Sequence, residues 1–178
     1  MTALVRAAAV AVSMLVVASC GAANATGGVP SYSPGPPVPG ASFVFEAEDG
    51  AHPVDGRSGE WVAPASEIMV WEHENIVKID AAAEDGVEYI RVELNGPDRV
   101  PLEVGDYPDA RDRDRVPDGP GMLVISGSLG CRDVYGEFTV DRLERDAAGQ
   151  LVALDAGFTQ RCGGPDGPAL RGRVHFQS

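Results

Sequence analysis

From Ser42 onward, Gly, Pro, Asp and Asn interrupt the chain so often that no window holds a helical period over ten residues. An amphipathic helix repeats its apolar positions over several turns, whereas dense punctuation leaves room for short strands. The strand candidates are Ser42–Glu48, Gly59–Ala63, Glu67–Glu72, Ile76–Ala81, Val87–Leu94, Pro101–Tyr107, Met122–Gly127, Tyr135–Arg145, Leu151–Arg161 and Ala169–Gln177. The Ala81–Glu84 stretch has room for a single turn of helix. The last three candidates carry the clearest alternation. In Leu151–Cys162, Val152, Leu154, Ala156 and Phe158 share one parity with Cys162, and Asp155, Thr159 and Arg161 share the other, which points Cys162 inward. In the final strand Leu170, Val174 and Phe176 face in with Gly172 among them, where a missing side chain relieves crowding. In Tyr135–Arg145, Leu143 breaks the parity of Phe138 and Val140, which predicts a bulge near Asp141–Arg142. The Asp146-Ala147-Ala148-Gly149 turn makes a hairpin of this strand and the next. The fold expected is all-β, a single antiparallel β-sandwich or barrel-like domain over residues 41–178.

The cysteines connect this domain to its compartment. Arg6 precedes an uncharged run from Ala7 to Val17, followed by Val17-Ala18-Ser19-Cys20-Gly21. A basic residue, a short apolar stretch and small residues ahead of a cleavage point make an export signal. Val-Ala-Ser-Cys resembles the lipobox of bacterial lipoproteins, which implies a signal peptide over residues 1–19 and acylation of Cys20. Ala23-Asn24-Ala25 offers a second, ordinary cleavage site and a freely secreted product. A transmembrane helix needs about 20 apolar residues, more than this stretch supplies before its Gly- and Asn-containing end. The localisation expected is therefore extracytoplasmic, lipid-anchored through Cys20 or else secreted. Of the three cysteines, either outcome removes Cys20 from thiol chemistry and leaves Cys131 and Cys162, which pair in an oxidising compartment. Their loop of about 30 residues makes the bridge worth roughly 3–4 kcal/mol.

Residues 20–40 read as a tether. They are uncharged and Gly/Pro-rich, with Pro30, Pro34, Pro36, Pro37 and Pro39, and an extended chain of this length reaches about 60 Å at ~3.1 Å per residue. The formal net charge of −13 argues against nucleic acid and against anionic membrane surfaces as partners, since both require clustered positive charge. The membrane is then a partner through the lipid on Cys20, and a protein or glycan ligand is left open.

The C-terminal half resembles a family of exported bacterial β-domains of unknown function. The resemblance is carried by Gly130-Cys131, by Gly136-Glu137-Phe138-Thr139-Val140, by Phe158-Thr159-Gln160-Arg161-Cys162-Gly163-Gly164 and by Pro168-Ala169-Leu170-Arg171-Gly172-Arg173-Val174. Phe43-Val44-Phe45-Glu46-Ala47-Glu48-Asp49-Gly50 and Leu102-Glu103-Val104-Gly105-Asp106-Tyr107 are similar to its earlier landmarks. The chain departs from the family pattern at Arg161, Gly163 and Arg132, where His, Glu and Asn are usual. What the resemblance implies is the fold and the disulfide, without an activity.

Four constellations invite chemistry. Trp71-Glu72-His73-Glu74-Asn75 sets a His between acids, but on a strand Glu72 and Glu74 share one face and His73 the other, so a solvated strand end or turn is the better reading. Asp109, Asp112, Asp114 and Asp118 share a loop with Arg111, Arg113 and Arg115. The EF-hand spacing fails at Val116, and a solvated, self-paired charged loop follows. Glu46-Ala47-Glu48-Asp49 is similar to the opening of some calcium-binding carbohydrate modules, with Trp61, Trp71 and Tyr89 as candidate sugar platforms, although half-buried strand aromatics more often belong to the core, the better reading here. Ser126-Gly127-Ser128-Leu129-Gly130 lacks the first Gly of a nucleophile elbow. No catalytic residue, metal ligand or cofactor emerges. The sequence thus predicts a non-enzymatic structural or interaction module at the cell envelope, with a carbohydrate-binding module, calcium-dependent or not, as the alternative.

Overall fold

The computed structural model describes residues 40–178. The signal segment, Cys20, the Ala25 cleavage site and the tether up to Pro39 lie outside the described residues. Within them the strands are β1 (Ser42–Ala47), β2 (Ser58–Val62), β3 (Glu67–His73), β4 (Ile76–Ala82), β5 (Tyr89–Asn95), β6 (Gly105–Ala110), β7 (Gly121–Ser126), β8 (Leu129–Gly130), β9 (Val134–Arg145), β10 (Leu151–Cys162) and β11 (Ala169–Gln177). A single 3₁₀ turn, Pro97–Arg99, accompanies them. Among the described residues no helix is long and apolar enough to cross a membrane.

Two antiparallel sheets pack face to face, as the sequence predicts. One has the order β2-β1-β11-β10-β9-β6 and the other β3-β4-β5-β7-β8. Alternation decides which side chains meet between them. From the first sheet come Phe43, Phe45, Phe138, Leu154, Phe158, Val174 and Phe176, and from the second Ile68, Val77, Ile79, Ile90, Val92, Leu94, Met122 and Val124. Large and small residues alternate across the strands of the first sheet. Gly172 stands opposite Phe45 on one side and Phe158 on the other, and Gly59 stands opposite Phe45. A Cβ on Gly172 would lie 2.3 Å from Phe158 Cε1. The space vacated there lets Phe43, Phe45, Trp61 and Phe158 pack with centroids 5.0–6.4 Å apart, a favourable range for aromatic pairs.

Cys131 and Cys162 form a disulfide with Cα atoms 5.7 Å apart, within the span such a bridge requires. Cys162 ends β10 in the first sheet and Cys131 follows β8 of the second, so the bridge joins the two layers at one end. The predicted bulge is present, as Ala156 pairs with Val140 while Asp155 pairs with Arg142 and skips Asp141. The predicted hairpin closes through Gly149 N–H to Asp146 O at 3.0 Å, with Gly149 at φ +80. Asp146 Oδ1 caps the turn by accepting from the Ala148 and Gln150 N–H groups.

Four details differ from the sequence reading. The strand expected at Pro101–Tyr107 pairs only from Gly105 onward, through Ala110. Leu102 is fully buried and plugs the core ahead of any pairing, and Pro108 is tolerated because β6 is an edge strand. At the start of β10 a second register irregularity between Leu151 and Ala153 buries those two and turns Val152 off the inner face. Farther along, Gln160 occupies an inward position that the sequence reading left unassigned, fully buried, with Nε2 donating to His52 O at 3.0 Å. Finally, Ser126–Gly130 folds into the β7–β8 hairpin, with Gly127 and Ser128 both at positive φ (56 and 65), the backbone of a two-residue primed turn.

Candidate functional site: the outer face of the six-stranded sheet

With the inner parity of five strands fixed by the core, the opposite parity faces solvent and the registers align it into rows. One row crosses the sheet as Val44, Arg173, Gly157, Thr139 and Asp106. The next contains Glu46, Arg171, Thr159 and Glu137. Four strand spacings of ~4.8 Å give the first row a span of about 19 Å. Its middle residue, Gly157, has no side chain, so the face dips there between Thr139, Thr159 and the two arginines. The resulting groove has a volume of about 530 Å³ and is walled by Val44 at one end and Pro108 at the other. A second depression of about 420 Å³ shares Val44 and Arg173 and continues to Asp141, Asp155 and His175.

The walls are held in place. At the β6 end the Tyr107 ring stacks on Phe138 on the inner face at 4.5 Å and 12°, and its hydroxyl both accepts from Glu103 N–H at 3.0 Å and donates to Glu103 O at 2.9 Å, which pins the strand that carries Pro108. Arg171 Nη1 lies 3.0 Å from Glu48 Oε1, and Glu48 Oε2 accepts the Ala169 N–H at 2.9 Å. The Ala169 N–H first and Arg171 second hold the Glu48 carboxyl below its ordinary pKa. Arg173 Nη2 lies 3.2 Å from Asp141 Oδ2. Such exposed pairs add little stability; their effect here is to orient the guanidiniums. Arg173 is still 75% exposed, so donors beyond the one engaged by Asp141 face the groove mouth.

The structure also brings together a row the sequence reading missed. Ser42 stands opposite His175, which stands opposite Asp155, and His175 Nδ1 pairs with Asp155 Oδ1. These residues are far apart along the chain and become neighbours only through the β1–β11–β10 register.

The sequence candidates fall out as follows. Trp61 takes the core reading: at 8% exposure it packs against Phe43 and Phe45 and presents no sugar platform. Trp71 is half-buried on the other sheet, opposite Lys78, and Tyr89 Oη accepts the Ser128 N–H at 3.3 Å, so the three aromatics do not converge. Glu48 is engaged by Ala169 and Arg171, as described, and among the described residues no group of three or more His, Cys, Asp or Glu gathers to hold a metal ion. Glu72 pairs bidentately with Arg145 at 2.7 and 2.9 Å. Next to it His73 ends β3, and Glu74–Asn75, both at positive φ, form the expected turn.

The arginine–aspartate loop is a correction, because it is not wholly solvated. Arg113 folds onto the outer face of the five-stranded sheet, its side chain 17% exposed, with Nη1 2.7 Å from Glu93 Oε2. That contact is an ion pair by distance, although the oxygen receives no in-line hydrogen bond. Lys78 Nζ lies 3.8 Å from the other Glu93 oxygen. Arg111 lies over the Tyr135 ring at 4.0 Å.

No family model, curated protein or solved structure matches the chain.

Proposed function

We propose that the protein is an exported, envelope-tethered, non-enzymatic binding domain whose ligand seats on the outer face of the six-stranded sheet. The observation that carries this reading is the groove floored by Gly157, a preformed concavity with fixed walls and a few oriented polar groups, the general form of a ligand site. The export signal, the lipobox at Cys20 and the uncharged tether support an extracytoplasmic address. The disulfide is consistent with it, since such bridges persist in oxidising compartments.

Detergent phase partitioning of the full chain against Cys20→Ala tests the address. Anchoring through Cys20 moves wild type into the detergent phase and leaves the variant aqueous. A wild-type chain found in the cytosol with residues 1–19 still attached contradicts it. Turnover of a ligand that depends on one acidic residue of the domain would overturn the non-enzymatic reading.

A further inference from the structure

We infer that the groove takes a neutral oligosaccharide. The inference rests on the reading of that groove as the binding site. The lining charges oppose one another: Arg171 and Arg173 on β11 face Glu46, Asp106 and Glu137 on β1, β6 and β9. A polyanion meets three carboxylates in a chain of net charge −13, and the two guanidiniums are already paired with Glu48 and Asp141, so the site's own field turns a polyanion away. Among the described residues no acidic cluster gathers to hold a metal cation. A purely apolar ligand would strip water from these charged arms without replacing its hydrogen bonds.

Donors and acceptors stand side by side at strand spacing. One row runs Glu46, Arg171, Thr159 and Glu137, a carboxylate, a guanidinium, a hydroxyl and a carboxylate. A chain of vicinal hydroxyls, each both donor and acceptor, satisfies such an array. The apolar C–H face of a sugar ring finds Val44 at one end and Pro108 at the other. An extended peptide fits less well, because it binds a sheet by adding main-chain hydrogen bonds at an edge, and this groove lies across a face whose backbone is already paired. Gly157 is the position that admits a ring. A Cβ built there would meet Thr139 Oγ1 at 3.5 Å, Arg173 Cγ at 3.8 Å and Gly172 O at 3.8 Å, ordinary contacts, so the absent side chain serves the groove and not the fold.

The test is calorimetric titration of the full chain in mild detergent. The probes are hexasaccharides of β-1,4-glucan, β-1,4-xylan, α-1,4-glucan and mannan, with hexagalacturonate and a mixed-charge decapeptide as contrasts. At least one neutral hexasaccharide is expected to bind saturably with Kd in the millimolar range or tighter. Gly157→Leu and, separately, Arg173→Gln should each weaken it about tenfold or more, with the thermal midpoint of each variant unchanged. Two variants on different strands keep the test meaningful if one folds poorly. If only hexagalacturonate or the peptide binds, and Gly157→Leu abolishes that binding, the groove stands and the neutral-sugar assignment falls. If no probe binds at about 10 mM, or binding ignores both variants, the groove reading falls with it.

Discussion

Gly157 and Gly172 face each other's neighbours on adjacent strands but lie on opposite faces of one sheet, and replacing each by alanine should move stability in opposite directions. In β11, the Cβ of Gly172→Ala would sit 2.3 Å from Phe158 Cε1 and 2.5 Å from Cζ. Carbon–carbon contacts are comfortable at about 3.5–4.0 Å, so the ring must retreat by more than about 1 Å. Phe43 stands behind it, with ring centroids 6.4 Å apart and the planes 28° from parallel. Overpacking of this kind costs about 1–3 kcal/mol, offset by about 0.4–1 kcal/mol from the stiffer unfolded chain, which leaves a net loss of about 1–2 kcal/mol. In β10, the Cβ of Gly157→Ala enters open groove at ordinary contact distances, so the unfolded-state term dominates and the variant gains about 0.5 kcal/mol. Urea denaturation with the disulfide intact, followed by circular dichroism, reads both values. A Gly157→Ala loss equal to that of Gly172→Ala would refute the assignment of inner and outer faces.

Three further outcomes follow from other parts of the fold. The double variant Cys131→Ala/Cys162→Ala opens a bridge of sequence separation 31 and should lose about 3–4 kcal/mol on the chain-entropy account; an unchanged urea midpoint contradicts it. Arg113→Met leaves the Glu93 carboxylate buried with Lys78 as its nearest described cation, and a loss of the order of 2–4 kcal/mol is expected in the same assay. An effect within about 0.5 kcal/mol would mean that the loop does not seal Glu93. Glu48 has a folded pKa below its ordinary value of 4.5. Its contribution is therefore full above pH 4.5 and fades as pH falls through the lower folded value. Glu48→Gln should flatten the acid limb of the plot of thermal midpoint against pH, and curves that stay parallel below pH 4.5 contradict the Ala169 and Arg171 contacts.

Much of the fold was legible because it rests on local parity. The alternation in β10 and β11 pointed the correct residues inward apart from Val152, Leu143 disclosed a bulge, and Gly172 marked a place where aromatic rings crowd. The failures came where tertiary contacts overrode local pattern. β6 reads Gly-Asp-Tyr-Pro-Asp-Ala, a poor strand by propensity, and forms because β9 offers it an edge. Trp61 on its short polar strand was expected in the core only from the general habit of strand aromatics, and the phenylalanine cluster that receives it was not legible. Arg113 looked solvated among charges of both signs, and its partner Glu93 lies on a strand remote in sequence. The candidate site was nearly illegible for the same reason, because its row is assembled from five strands whose order, β1-β11-β10-β9-β6, no local pattern reveals. One signal was present: Gly157 occupies the outward parity of β10 between Asp155 and Thr159, a glycine where neither turn nor core requires one.

The most direct test of the central claim is amide chemical-shift mapping of the full chain titrated with the hexasaccharide that binds best. Shifts concentrated at Gly157, Thr139, Thr159, Arg171 and Arg173, with the outer face of β3–β4–β5 unmoved, are predicted. Shifts centred on Trp71, Lys78 and Leu123, or spread evenly over both sheets, would contradict the account.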